Sequence, residues 1–170
     1  MSDPSRTLVI DTSVLINFIV VERLDLLTAL PGTVCVVTDH VRGEITDDYP
    51  GQVALLLNAI EQGSIKLLRV DSPEELQTFA DLEASGLGAG ERSAFAAARH
   101  RGCVVAIDDR RAIRIASRSL GDFSIVRTED IVRESITAGI VSVAEADAFK
   151  HRWEALHRFR LPFESFGDPT

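Results

Sequence analysis

Four separated stretches of the chain end in, or open with, a carboxylate. Asp11 closes the apolar run Leu8-Val9-Ile10, and Glu44 sits in Val41-Arg42-Gly43-Glu44-Ile45. Glu91 opens an alanine-rich segment after Gly90, and Asp108 and Asp109 close Val104-Val105-Ala106-Ile107. A fold that gathered these ends would build an acidic pocket. Like charges at short range raise one another's pKa, so such a pocket does not stay both dry and fully ionised. A bound divalent cation is the usual resolution. Ligands that are all oxygen favour Mg²⁺ or Mn²⁺, as one or two ions, over zinc. The chemistry this implies is metal-dependent hydrolysis of a phosphodiester bond.

Positioning such residues is a task for short strands alternating with helices, and the hydrophobic pattern shows that alternation. Strands are expected at Thr7–Asp11, Thr33–Val37, Ile65–Val70, Cys103–Ile107 and Phe123–Val126. The first is apolar on both sides and so central. Helices are expected from about Ser13, over Val21–Leu30 up to Pro31-Gly32, from a cap at Thr38 or Asp39, and over Gln52–Gln62 after a break at Pro50-Gly51. Asp71-Ser72-Pro73-Glu74-Glu75 starts a helix running to about Ala84, with a cap, a first-turn proline and acids against the macrodipole. Further helices are expected at Glu91–Arg101, Asp109–Leu120, Thr128–Ala138 and Ser142–His157. The alternation predicts an α/β three-layer sandwich: a mainly parallel central sheet with helices on both faces. Residues 1–157 read as a single domain, and 158–170 as an irregular tail. In such sheets ligands bind beyond the carboxyl ends of the strands, where Asp11, Asp108 and Asp109 stand.

Composition bounds the function. A chain of 170 residues, 45% hydrophobic and 26% charged, suits one soluble domain. No apolar run approaches the ~20 residues of a membrane span. The N-terminus lacks an apolar signal core, so the expected location is the cytoplasm. Cys35 and Cys103 fall in predicted strands outside any zinc spacing, as buried reduced thiols. The net charge of −8 opposes nucleic-acid binding. It is uneven, however: nine of sixteen arginines lie between Arg92 and Arg133, and local fields steer ligands.

The acidic stretches resemble the motifs of the PIN domain family of metal-dependent ribonucleases, over roughly Leu8 to Leu156. The stretch from Leu8 to Ile16 is similar to the opening motif, a strand ending in Asp, then Thr/Ser, then an apolar helix. Val41–Ile45 looks like the second acidic motif. Gly90-Glu91-Arg92-Ser93-Ala94 resembles the third, in the subgroup with Gly-Glu before a long helix, and Ile107–Ala112 resembles the fourth. The resemblance implies catalytic positions at Asp11, Glu44, Glu91 and Asp109. Candidate metal ligands are Asp11, Glu91, Asp109 and Asp108. Asp11 and Asp109 are best placed for direct contact, and the longer Glu44 and Glu91 for contact through metal-bound water. Thr12, Ser13 and Asn17 would support the site. The chain departs from the pattern in carrying Glu rather than Asp as third acid, two adjacent acids at the fourth position, and Arg127-Thr128 where Gly-Thr is usual.

Arg110, Arg114 and Arg118 step by four and share a helix face; Arg110 and Arg114 are candidates for RNA phosphates. The family includes the toxins of VapC-type toxin–antitoxin pairs, which implies an RNA substrate, a small antitoxin partner and a possible homodimer.

Each acid also has an ordinary structural role open to it: a helix cap for Asp11, solvated first-turn acids for Glu44 and Glu91, and one cap plus one ligand for the Asp108-Asp109 pair. Phe149, Trp153 and Leu156 read first as core and second as a docking face. Gly86-x-Gly88-x-Gly90 reads as a flexible lead-in to a helix, since it lacks the spacing, preceding strand and lysine of a nucleotide loop. A competing function is a catalytically silent PIN-like module that binds RNA or protein, which would not need mutually repelling carboxylates. A phosphotransfer enzyme fits poorly, because Ser13 stands where a second Asp is required.

Overall fold

The computed structural model describes residues 6–46 and 51–169. The strands β1 (Arg6–Ile10), β2 (Thr33–Thr38), β3 (Ile65–Leu68), β4 (Val104–Ala106) and β5 (Ile125–Val126) form one parallel sheet in the order β3-β2-β1-β4-β5. The expected α/β sandwich is the observed one. The order reverses beside β1: the chain first builds outward through β2 and β3, then returns to lay β4 and β5 on the other side. A crevice opens at such a reversal, between the carboxyl ends of β1 and β4.

Side-chain alternation divides the core. Leu8, Ile10, Cys35, Val37 and Ala106 face one layer. Val9, Val36, Val105 and Ile107 face the other. Leu8, Val9 and Ile10 are all fully buried, as a central parallel strand requires. The first layer holds α1 (Thr12–Val20), α2 (Asp25–Thr28), α4 (Gln52–Glu61), α8 (Thr128–Thr137) and α9 (Val143–Leu156). The second holds α5 (Pro73–Asp81), α6 (Ala89–Arg101) and α7 (Arg110–Leu120), with α3 (Asp39–Glu44) packed against α6. Ala94, Ala96, Ala97 and Ala98 are buried, so the small side chains of α6 let its backbone approach the sheet closely.

Several elements differ from expectation for local reasons. Val21–Leu30 is not one helix. Glu22 takes a left-handed φ of 60°, and Arg23 N bonds back to Phe18 O at 2.9 Å. That Schellman-type stop leaves only the short α2 beyond it. Helix α6 begins at Ala89 rather than Glu91, because the Glu91 side chain returns to cap Gly88 N at 2.9 Å. Gly90 therefore lies in the first turn of a helix and not in a flexible loop. The helix from Pro73 stops at Asp81 and passes into a 3₁₀ turn, Glu83–Ser85. The break expected at Pro50 lies outside the described residues.

The segment after α9 has no helix or strand among its described residues, yet Leu161 and Phe166 are buried in the first layer. Trp153 is fully buried and edge-on to both Phe18 and Phe159. Its Nε1 donates to Asn17 O at 2.7 Å. Leu156, by contrast, is 60% exposed, so only the first two residues of the Phe149-Trp153-Leu156 stripe are core. Both cysteines are free and buried, and burial pushes the Cys35 thiol up to about 12.

One ion pair ties the second layer together. The Glu75 carboxylate is 1% exposed and accepts two bonds from the Arg101 guanidinium, which also donates to Arg69 O. The guanidinium holds the Glu75 carboxyl down at about 2. A lowered carboxylate contributes stability above its unfolded value and loses it as pH falls through the folded one. Arg101→Leu should cost about 2 kcal/mol at neutral pH in urea unfolding, as for a charged hydrogen bond whose buried partner is orphaned. The variant should also lose less stability than the parent between pH 5 and about 2.

Candidate active site

The β1–β4 register brings the acids together. Ile10 pairs with Ala106, and Asp11 N donates to Ala106 O at 2.9 Å. Asp11 therefore leaves the sheet beside Ile107, with Asp108 and Asp109 immediately beyond. Helix starts then orient the side chains. Asp11 caps α1 through Oδ2, which accepts from Ser13 N at 3.1 Å and Ser13 Oγ at 2.6 Å. Asp109 caps α7 through Oδ1, which accepts from Arg111 N at 2.7 Å and Ala112 N at 3.0 Å. Each cap uses one oxygen and leaves the other uncommitted.

Glu44 arrives from the far end of α3. Thr38 caps that helix through Val41 N, and its hydroxyl also meets Ser93 Oγ of α6 at 2.6 Å, pinning α3 against α6. Glu44 accepts from the Thr12 hydroxyl and from Gly90 N, the latter at 2.8 Å. A Cβ at Gly90 would lie 2.5 Å from Glu44 Oε2, so that position has room only for glycine while Glu44 keeps its place. A Cβ at Gly88 would lie 3.8 Å from Glu91 Oε2 and 3.9 Å from Glu44 Oε1, so both carboxylates border the same loop.

The electrostatics are those of crowded like charges. Asp11 is 3% exposed. Burial raises its pKa, Glu44's charge adds to this, and the Ser13 bonds oppose it. Burial likewise raises Glu91, helped by the charges of Asp11, Asp109 and Glu44 and opposed by the Gly88 bond. Asp11 Oδ1 is buried with no hydrogen-bond partner among the described residues. An orphaned carboxylate oxygen facing like charges is costly unless a cation meets it.

Asp108 has different surroundings from its neighbour. Its Oδ1 accepts from Thr128 N at 2.9 Å. Its Oδ2 accepts from Thr128 Oγ1 at 2.7 Å and from Asn17 Nδ2 at 2.9 Å. Asn17 Nδ2 also reaches Thr128 Oγ1 at 3.1 Å. Asp108 thus joins β4, α1 and the start of α8, and its oxygens are committed to protein donors. Of the acids expected to bind metal, Asp11 and Asp109 both act on Glu91 through their charge. Asp108 is held by Thr128 and Asn17, so Asn17, expected to support the site, reaches it through Asp108. Thr128, which the sequence reading did not place in the site, is the partner that holds Asp108. The available signal was a hydroxyl residue at a helix start just after the last strand.

Among the described residues no group of three or more acids, histidines or cysteines is gathered tightly enough to hold an ion as it stands. Glu44 is engaged by Thr12 and Gly90, and Glu91 by Gly88. The donor chemistry nevertheless fits a hard divalent cation: oxygen only, with a buried Asp11 oxygen unpartnered.

The site thus lies at the carboxyl edge of a parallel sheet that reverses beside its first strand, with Glu44 and Glu91 brought to it by α3 and α6. The chain belongs to the PIN domain family, whose model, described as PIN domain, matches residues 7–149. PIN domains are generally nucleases, and the family generally uses a divalent metal. The crystal structure of PAE2754 from Pyrobaculum aerophilum is similar in fold, with a TM-score of 0.53 at 15% identity, over 77% of this chain and 96% of that one. No curated protein matches the chain.

The contrast between neighbours can be measured. Asp108→Ala should cost about 2–4 kcal/mol in urea unfolding, because Asn17 and Thr128 lose their acceptor. Asp109→Asn, which still caps α7, should change stability by less than about 1 kcal/mol. Equal losses would contradict the assignment.

The raised Asp11 carboxyl fixes the sign of a second effect. Its contribution is present at low pH and is lost as pH rises through the folded value. Without metal, Asp11→Asn should therefore melt higher than the parent at pH 7, with the gap closing on acidification. Adding Mn²⁺ should raise the melting temperature of the parent alone.

Proposed function

We propose that this chain is a metal-dependent endoribonuclease, hydrolysing RNA phosphodiester bonds, and the toxin of a toxin–antitoxin pair held in check by a small antitoxin protein. The observation that carries the hydrolytic part is the buried, unpartnered Asp11 Oδ1 beside the charges of Glu44, Glu91 and Asp109. The toxin part rests on the motif resemblance.

Asp11 and Asp109 would hold Mg²⁺ or Mn²⁺ through their uncommitted oxygens, with Glu44 and Glu91 beside them. When bound, such an ion makes water a nucleophile near neutral pH and offsets charge on the phosphate. Ser13 fixes the Asp11 carboxylate by two bonds, and Thr12 and Gly90 fix Glu44. Asp108, Asn17 and Thr128 keep the floor between α1 and α8 rigid. The exposed Arg110 and Arg114 have no ion pair or hydrogen bond among the described residues, and they lie on the helix that Asp109 caps. That leaves both guanidinium groups available for RNA phosphates on the Asp109 side.

The test is cleavage of a mixed-structure RNA by purified protein with Mn²⁺, Mg²⁺ or chelator, beside Asp11→Asn. Metal-dependent cutting is expected, lowered in the variant by at least about 100-fold, the upper end of what outer-shell changes at metal sites cost. Equal cutting by the variant would remove the proposal. Growth arrest on expression, absent in Asp11→Asn, is the expected sign of the toxin role.

A further inference from the structure

Between α1 and the segment after α9 lies a cavity of about 210 Å³, lined by Ser13, Ile16, Asn17, Asp108, His157, Arg158 and Phe159. That is several times the ~30 Å³ of one water and below the ~300 Å³ of the smaller drug-sized pockets. It suits a single planar ring. Ser13, which bonds Asp11, and Asp108 form its inner wall, so it adjoins the candidate active site.

Its lining has the parts that recognise an unstacked base. Phe159 is perpendicular to Trp153, at 82° with ring centroids 5.4 Å apart, so Trp153 covers no more than one of its two faces. Arg158 is exposed and holds a left-handed φ of 52°, a strained backbone for a residue with a side chain. Its guanidinium can lie over a ring. Asn17 is 3% exposed, and its Nδ2 is committed to Asp108 and Thr128. What Asn17 has left to offer is the Oδ1 acceptor, held in one orientation by those two bonds.

We infer that this cavity is a nucleobase pocket, taking one unstacked base from the RNA strand next to the scissile phosphate. The inference rests on the nuclease reading for its substrate class and on the cavity for its chemistry. Aromatic and guanidinium faces supply stacking, which every base satisfies. Asn17 Oδ1 supplies an acceptor that orients the base, met by the exocyclic amines of adenine, cytosine and guanine or by the ring N–H of uracil.

Trp153, the single tryptophan of the chain, reports on the pocket through Phe159. Titration of the full chain with AMP, CMP, GMP and UMP should quench its fluorescence saturably, with the baseless ribose 5-phosphate at least about fivefold weaker. Phe159→Leu keeps an apolar side chain against Trp153 but removes the stacking face, and should weaken binding at least about fivefold. Arg158→Ala, at an exposed position, should weaken it as well and serves if Phe159→Leu fails to fold. The inference is overturned if no nucleotide quenches, if ribose 5-phosphate binds as tightly as the nucleotides, or if folded variants bind like the parent. RNA cleavage kinetics separate the two readings. A Phe159→Leu variant that cuts RNA with the same KM as the parent would refute the pocket and leave the nuclease. Nucleotide binding without RNA cleavage in any metal would refute the nuclease and leave the pocket.

Discussion

The parallel pairing of β1 with β4 is the constraint on which the rest depends. Strands distant in sequence become neighbours running the same way, so their carboxyl ends open on the same side. Asp11 then has no route out of the sheet except past Asp108 and Asp109. Its backbone is fixed by Ala106 O and its side chain by Ser13, and it stays buried with one oxygen unanswered. The hydrophobic ladder from Leu8 to Ile10 and from Val104 to Ile107 holds that unfavourable arrangement, since every residue of the first run is fully buried. Core packing thereby offsets the repulsion that a functional site requires.

Around this point the structure separates acids that support from acids that remain open. Asp108 and Asp109 are adjacent, yet the first accepts from Thr128 and Asn17 on both oxygens while the second caps a helix with only one. The difference follows from the elements each meets just beyond β4: Asp108 meets donors from α1 and the start of α8, and Asp109 caps α7.

Glycine governs the second half of the site. Gly90 lets α6 approach Glu44 so closely that its N–H binds the carboxylate, and the Thr38–Ser93 contact holds the two helices at that distance. Glu44 is thus anchored by neutral donors from α1 and α6, and Glu91 by the N-cap of its own helix. That limits their mutual repulsion, and it also explains why the carboxylates do not collapse onto one point.

Much of the architecture was legible in residue order. Apolar runs, capping residues such as Ser72 and Thr38, and punctuation by glycine determine the strands and most helices, because these are local preferences of backbone and side chain. The positions of Asp11, Glu44, Glu91 and Asp109 at element ends were also readable. The stop at Glu22 was not, because a left-handed glutamate has no sequence signature. Nor was the early start of α6, which depends on Glu91 reaching back to Gly88. That Thr128 and Asn17 answer Asp108, and that Gly90 is a contact rather than a hinge, were decided only by tertiary structure. Each depends on partners from about 20 to 90 residues away in the chain, brought within hydrogen-bond distance by sheet order and helix packing.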